Sequence, residues 1–193
     1  MKYLYIFIDN NKLDDVIKYG MKLSEFSNKL LTISKTQKYG ITAFLSPKDS
    51  ELYYDNNYSC IKVLTDKLKC LIYNKTCDNS YLLKDFICNI NEYQLGLYEE
   101  PVAFITSTIL PEDIQLYNKL QDVPLVIENS KQYFYEKSIN DMLENDKFSK
   151  YELYQMLLIL GEQKKIFKTT NDNSIKIYED KISGKKYTKR SNF

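Results

Sequence analysis

The spacing of apolar side chains predicts how the chain begins. Residues 3–8 are a run of aromatic and branched apolar residues, which is typical of a buried strand. Leu13, Val16 and Ile17 then recur at helical spacing, and Gly20 follows where a helix C-cap is expected. The pattern therefore predicts a strand, a short helix and a stop at the start of the chain.

The middle of the chain alternates between short apolar runs and polar turns. Strands are predicted at residues 41–45, 60–64, 70–73, 102–105 and 124–127, with the second and third forming a hairpin around Asp66-Lys67. Helices are predicted from the Ser46-Pro47 cap through Tyr53, across residues 79–97, and from Pro111 onwards. Because residues 102–105 are all apolar, we expect them to form a central strand.

The last third of the chain carries two helix signals and three alternating runs. One helix is expected from Asn129-Ser130 to about Glu144, and a second from Lys150 to Leu160, capped by Ser149 and ended by Gly161. The alternating runs at 165–169, at 174–178 and around Tyr187 predict an antiparallel β-meander.

The order of these elements predicts the fold class. Strands and helices are mixed without a regular βαβ rhythm, which favours the α+β class. We expect a single mixed-sheet domain with flanking helices and a C-terminal antiparallel β-meander. A polar stretch at 144–147 divides it into a body, 1–145, and a helix-plus-sheet appendage, 146–193, packed on the body.

The composition excludes several classes of protein. With 44% apolar residues, 27% charged residues and a net charge of +1, the chain can fold around a core and has no overall field that would attract a polyanion. The chain has no histidine, so mechanisms that need a histidine base or histidine metal ligands are excluded. No run is apolar for long enough to span a membrane and no signal peptide is recognisable, so we expect a cytoplasmic protein with no membrane partner.

The four cysteines do not form a metal-binding pattern. No C-x-x-C pair occurs among the four, which are Cys60, Cys70, Cys77 and Cys88. A zinc site without histidine would need all four thiolates. We therefore expect reduced, mostly buried thiols and no metal site.

Candidate chemistry is confined to carboxylates. No dinucleotide-binding or P-loop glycine motif occurs among the five glycines. Asp14-Asp15 and Glu112-Asp113 are typical of helix-start acids on a solvated surface. Glu99-Glu100 differs because it directly precedes the apolar strand at 102–105, where a carboxylate can face a cleft. The alternative, which we favour on residue type alone, is a solvated pair in a loop.

Two stretches resemble ADP-ribosyltransferase-like domains, the DarT-like group included. Those domains open with a strand and a helix of the form L-x-x-I-x-x-x-G-[IL], to which Leu13-x-x-Val16-Ile17-x-x-Gly20-Met21 is similar. Residues 102–105, followed by Ile109-Leu110-Pro111, resemble the family's glutamate-bearing strand and its proline-led exit. The resemblance covers about a third of the chain.

This resemblance implies an enzyme that transfers ADP-ribose from NAD to a protein or nucleic acid acceptor, or a degenerate, non-catalytic relative. Glu99 or Glu100 would be the catalytic residue, contacting the nicotinamide ribose as the oxocarbenium ion forms. Tyr5 and Ser46 would line the nicotinamide pocket. The strands at 3–8 and 102–105 are then expected in one sheet.

The C-terminal segment offers a second hypothesis, because positive charge is concentrated there. Residues 164–193 carry nine basic and three acidic side chains, a net of +6, whereas the preceding residues are net acidic. A nucleic acid backbone would contact a set of lysines there, with Phe167, Tyr178 and Tyr187 available to stack on bases. The set is Lys164, Lys165, Lys168, Lys185, Lys186 and Lys189. The alternative is a sheet whose lysines are merely solvated.

A third hypothesis needs no catalysis. Small proteins of this kind are common in phages and mobile elements, where they act as binding modules that block a host or defence protein. The apolar stripe of Leu153, Met156, Leu157 and Leu160 is compatible with a core helix or with a homo-oligomer contact, and the sequence leaves that alternative open.

Overall fold

The computed structural model describes residues 2–77, 86–145, 149–172 and 175–190. The chain divides into two compact units, Met1–Lys131 and Gln132–Phe193. The first unit holds two antiparallel sheets with short helices, and the second holds longer helices and a three-stranded sheet. The predicted α+β class is therefore confirmed.

A three-stranded antiparallel sheet contains the start of the chain. In spatial order its strands are β1 (Tyr3–Asp9), β4 (Tyr58–Leu64) and β8 (Ile114–Leu116). Side chains alternate across a strand, so Leu4, Ile6 and Ile8 share one face, and all three are buried. The predicted first strand is confirmed.

A five-stranded antiparallel sheet completes the first unit. In spatial order its strands are β2 (Lys29–Ile33), β3 (Thr36–Ala43), β7 (Pro101–Ile105), β5 (Cys70–Asn74) and β6 (Ile87–Asn89). Every residue of β7 is buried, because β7 pairs on one side with β3 and on the other with β5. The prediction of a central strand at 102–105 is therefore confirmed.

The two sheets of the first unit meet at Tyr5 and Phe44, whose backbones exchange hydrogen bonds of 2.9 and 2.8 Å. The expectation that β1 and β7 share one sheet is wrong, because β1 pairs along its whole length with β4. Both sheets contribute to one core, which includes Ile6 of β1, Ile41 of β3 and Ile105 of β7.

Gly20 ends the first helix, α1 (Leu13–Tyr19), as the sequence predicts. Its φ of +77° lies in the left-handed region that favours glycine, and a Cβ atom there would lie 2.4 Å from the carbonyl oxygen of Ile109. Met21 and Ile109 then exchange backbone hydrogen bonds before the short helix α2 (Leu23–Phe26) begins.

The predicted hairpin of residues 60–64 and 70–73 is wrong, although both segments are strands. β4 lies in the three-stranded sheet and β5 in the five-stranded sheet. β5 pairs instead with β7, with Cys70 opposite Ile105. Apolar patterning predicts that a segment is a strand, but it does not select the partner strand.

Several predicted elements are shorter than expected or differ in kind. Pro111 begins only the 3-10 turn Pro111–Asp113, because Ile114 returns to an extended conformation. The helix predicted after Ser46 is a pair of 3-10 turns, Pro47–Asp49 and Glu51–Tyr54. Ser46 caps the first turn through a reciprocal capping box, as its sequence position predicts.

Three further predictions differ from the structure. The helix expected at 79–97 falls partly on residues 78–85, which lie outside the described residues, and β6 and turns occupy its described part. Residues 124–127, expected to be a strand, are not paired with another strand, and the backbone bends from residue 125 onwards. β2, which was not predicted, pairs with β3 from Ile33 opposite Thr36.

The helices α3 (Ser130–Asn145) and α4 (Lys150–Gln163) contribute to the second unit, α3 from Gln132 onwards. Ser149 caps α4 through a capping box with Glu152, as predicted. α4 does not end at Gly161. A Cβ atom there would lie 2.3 Å from the Phe167 ring, so the glycine serves close packing.

The second unit ends in the predicted antiparallel meander, which is confirmed. Its strands are β9 (Phe167–Asp172), β10 (Ile175–Asp180) and β11 (Lys186–Arg190), with β10 in the middle. The predicted division at 144–147 includes residues outside the described ones, and the two compact units divide after Lys131. Across the described ranges, no helix is both long and apolar enough to cross a lipid bilayer.

Candidate functional site

Glu99 and Glu100 lie directly before β7, and their backbone is held in place. The N–H of Glu100 donates to the side-chain oxygen of Asn74 at 3.2 Å, and its carbonyl accepts from the N–H of Lys75 at 2.8 Å. Asn74 is buried at the end of β5. These hydrogen bonds therefore fix the backbone from which the two glutamate side chains project, at the start of the central strand.

Both glutamate side chains are ion-paired with Lys131. The Nζ of Lys131 lies 3.0 Å from Oε1 of Glu99 and also contacts Oε1 of Glu100, and all three side chains are about one-third exposed. Partial burial disfavours the ammonium, but the hydrogen bonds with Glu100 and Glu99 outweigh it and raise the pKa of Lys131. Lys131 is therefore a counterion to both glutamates. Sequence reasoning missed Lys131 because it lies 31 positions from Glu100 and belongs to no motif.

Tyr5 lies on β1 and is almost completely buried. Its ring packs edge-on against Tyr117, with centroids 5.5 Å apart. Burial, with smaller contributions from Tyr117 and Cys60, raises the pKa of Tyr5 to about 12. Its hydroxyl is therefore neutral at physiological pH.

Ser46, which we expected beside Tyr5 in a ligand pocket, has no exposed surface. Its hydroxyl donates to the carbonyl oxygens of Glu128 at 2.9 Å and Val126 at 3.2 Å. These bonds satisfy a buried hydroxyl and hold the 126–128 backbone in place. Ser46 therefore serves the fold, and a ligand could reach it only if these bonds were broken.

A small cavity of about 220 Å³ adjoins Tyr5. Its walls are the rings of Tyr3 and Tyr5 and the apolar side chains Leu45, Leu95, Val123 and Leu125, with Lys2 as the one charged lining residue. Neither Glu99 nor Glu100 lines it. Sites for drug-sized ligands measure about 300–1,000 Å³, so this cavity admits one ring and not a whole dinucleotide. The residues that line the cavity could therefore hold at most the nicotinamide end of NAD.

An exposed apolar segment forms one wall of the cavity and continues beyond it. We call residues 120–127 the apolar segment, because four of its large side chains are mostly exposed: Leu120 (95%), Val123 (81%), Leu125 (70%) and Ile127 (68%). The apolar pattern predicted a strand over residues 124–127 of this segment. Only the structure shows that these four side chains lie on the surface.

The apolar segment is anchored on both sides. Asp122 is ion-paired with Lys62 of β4 and accepts the N–H of Asn118 at 2.8 Å. The hydrogen bond from Lys62 is the main reason why the pKa of Asp122 is lowered. Val126 is buried, and its carbonyl accepts the Ser46 hydroxyl. The exposed side chains therefore project from a backbone with fixed attachment points.

The six C-terminal lysines are only partly brought together. Lys168 and Lys186 lie on either side of Glu179 in adjacent strands, and Lys185 precedes β11. Lys164 is ion-paired with Glu136, which lowers the pKa of that glutamate. Lys165 precedes β9, and its carbonyl accepts a hydrogen bond from Lys181. At Lys189 only the backbone is described, and it pairs opposite Lys176.

The aromatic rings near these lysines pack into a cluster of their own. Phe167, Tyr178 and Tyr187 pack against one another, with centroids 5.7–6.0 Å apart for the two Phe167 pairs. Tyr178 is 1% exposed. Lys168 and Lys186 occupy the alternate positions, so they lie on the opposite face of the sheet. These two lysines therefore do not share a stacking surface with the rings.

The expectation of mostly buried cysteines is wrong, because only Cys70 is buried, whereas Cys60, Cys77 and Cys88 are half-buried. All four cysteines are free thiols, and burial raises the pKa of Cys60 and of Cys70 to about 12. No group of three or more potential metal ligands occurs within the described ranges.

Comparison with known proteins identifies no relative of this chain. No protein-family model matches the chain, and no curated protein or solved structure matches it significantly.

Proposed function

We propose that this chain is a binding module whose first unit contacts a polypeptide partner through the apolar segment. The observation that carries the proposal is the group of four large, mostly exposed apolar side chains within residues 120–127. Full burial of one such side chain contributes about 1.5–3 kcal/mol. Covering all four would therefore supply a substantial share of a specific binding free energy.

The surroundings of the apolar segment support a docking role. Single exposed apolar side chains are common, but a contiguous patch with a polar rim is typical of an interface. Two ion pairs lie beside the segment, Lys62 with Asp122 and Lys48 with Glu128. Because the backbone is anchored, little conformational entropy is lost when a partner covers these side chains.

A peptide library displayed on particles tests this function. We expect the wild-type protein to select peptides rich in apolar residues, and Leu120→Gln/Ile127→Thr to lose that selection. Leu143→Gln/Ile182→Thr is the matched control, since it removes two exposed apolar side chains from the second unit. Absence of selection by the wild type, or equal selection by both double variants, would refute the proposal.

A transferase is the second candidate function, and one observation favours it. Glu99 and Glu100 are fixed at the start of a buried central strand and remain about one-third exposed, so a ligand can reach them. In such an enzyme a glutamate would accept a hydrogen bond from the nicotinamide ribose while the bond to nicotinamide breaks and its electron pair leaves with that ring.

Calorimetric titration with NAD separates the two candidates. If the chain is a binding module, millimolar NAD should give no heat beyond dilution. If it is a transferase, NAD should bind and Glu99→Gln/Glu100→Gln should abolish turnover with the fold intact. Glu51→Gln/Glu112→Gln is the control, because it removes the same charge from exposed positions in the same unit.

A further inference from the structure

The cavity beside Tyr5 has a size that limits what it can hold. An engineered apolar cavity of about 150 Å³ accommodates benzene. At about 220 Å³, this cavity has room for one substituted ring or one branched aliphatic side chain. Its apolar walls include Leu45, Leu95 and Leu125, which offer no hydrogen bonds. The occupant of the cavity itself is therefore apolar.

Lys2 places one positive charge at this apolar cavity. Its backbone carbonyl accepts the N–H of Thr65 at 3.2 Å, which fixes the start of the side chain. Its Nζ lies 5.3 Å from the centroid of the Tyr3 ring, and within the described residues it forms no ion pair. Lys62 also lies over Tyr3, but it is paired with Asp122. Among the described residues at this cavity, Lys2 is therefore the cation that can meet an anionic group.

The other polar groups nearby do not oppose a carboxylate. Burial raises the pKa of Tyr5 to about 12, so its hydroxyl is a neutral donor rather than an anion. Asp122 is the acidic residue that interacts with Tyr5, and its charge is offset by Lys62. An apolar group with a carboxylate next to it matches both the walls and the charge of the cavity.

We infer that this cavity binds the C-terminal residue of the polypeptide partner, with its apolar side chain inside and its carboxylate beside Lys2. This inference rests on the proposed function. A C-terminal residue is the polypeptide unit that always carries a negative charge next to its side chain. An internal residue would instead bring a neutral N–H and C=O to apolar walls that cannot pair with them. Val123 and Leu125, which are mostly exposed in the free chain, would be covered by the same contact.

N-acetyl-phenylalanine and its amide test this inference, because they differ only in the carboxylate. Binding is followed through the methyl NMR signals of Leu45, Leu95 and Leu125. We expect the acid to bind up to about fivefold more tightly than the amide. Lys2→Gln should remove this preference, Lys2→Arg should retain it, and Lys12→Gln, an exposed lysine elsewhere in the unit, should leave it unchanged.

A cavity-filling variant and a peptide pair complete the test. Val123→Trp should weaken binding of both small ligands, since the added ring occupies the cavity. A peptide ending in free phenylalanine should bind more tightly than its C-terminal amide. Equal binding of acid and amide by the wild type overturns the inference, as does binding of N-acetyl-phenylalanine without binding of the peptide.

Different experimental outcomes would contradict the C-terminal site and the proposed function. If the displayed library selects peptides through Leu120 and Ile127 whatever their C-terminal group, the docking surface stands and the C-terminal site is overturned. If the acid binds the cavity but no peptide is selected, both the proposed function and the polypeptide source are overturned.

Discussion

Asp49 accepts a 2.7 Å hydrogen bond from the hydroxyl of Ser130, a residue 81 positions further along the chain. The same carboxylate accepts the backbone N–H groups of Ser130 and, at 2.9 Å, of Ser46. Asp49 therefore holds the turn at 46–49 to the backbone that follows the apolar segment. This half-buried carboxylate therefore helps to determine where the proposed docking surface lies.

We predict that Asp49→Ala lowers the free energy of unfolding by about 2 kcal/mol or more. The substitution leaves buried donors on Ser46 and Ser130 without an acceptor, and each unsatisfied group costs about 1–3 kcal/mol. Urea unfolding followed by circular dichroism measures the change. Asp14→Ala, at an exposed position of α1, is the control and should change stability by no more than about 0.5 kcal/mol.

Asp49 also makes the free energy of unfolding depend on pH, in a direction that follows from its raised pKa. Burial raises its pKa, against the opposing effect of hydrogen bonds from Ser130 and Ser46. The Asp49 carboxyl group therefore binds its proton more tightly in the native state than in the unfolded chain. Its contribution to the free energy of unfolding is fully present below the ordinary carboxyl pKa and is lost as pH rises through the pKa of Asp49 in the folded protein. The stability of the wild type relative to Asp49→Asn should fall as pH rises across the acid range. A difference that stays constant or grows would contradict this.

Gly20→Ala should destabilise the protein more than Gly184→Ala. Both glycines have positive φ, +77° and +66°, so either alanine adopts a strained backbone that costs about 1–2 kcal/mol. At Gly20 the new Cβ would also lie 2.4 Å from the carbonyl oxygen of Ile109, whereas nothing lies within 4 Å at Gly184. The difference in urea midpoint between the two variants measures the cost of this contact. Equal midpoints would show that the loop relaxes.

Cys60 and Cys70 should resist alkylation in the folded protein. Burial raises both pKa values to about 12, and the thiolate is the reactive form. Iodoacetamide at neutral pH should modify Cys77, half-buried at the end of a 3-10 turn, well before these two. Mass spectrometry of digests gives the order, and unfolding in urea should remove the difference. Early modification of Cys70 in the native protein would be inconsistent with its burial.

Any binding of nucleic acid should depend on the C-terminal lysines. Lys168→Gln/Lys185→Gln/Lys186→Gln should reduce the slope of log affinity against log salt by about 0.7 for each lost phosphate contact with a single strand. Lys12→Gln/Lys38→Gln/Lys69→Gln removes the same charge from exposed positions of the first unit and should not change the slope. Fluorescence anisotropy of a labelled oligonucleotide measures both. No affinity at low salt would leave these lysines as a solvated face.

The sequence by itself determined the elements whose signals are local. The apolar run at 3–8, the helix stop at Gly20 and the capping serines Ser46 and Ser149 each depend on residues within one turn or strand, and each is found where it was expected. The C-terminal meander belongs to this group as well, since its strands pair with their neighbours in the chain.

Only the tertiary structure decided which distant residues meet. β1 pairs with β4 rather than sharing a sheet with β7, and Glu100, visible in the sequence as a candidate, acquires Lys131 as its counterion. Residues 124–127 have the apolar pattern of a strand, yet the side chains of Leu125 and Ile127 are mostly exposed. Strand partners, ion pairs between distant residues and burial all depend on contacts that span many positions, and periodicity along the chain carries no information about those contacts.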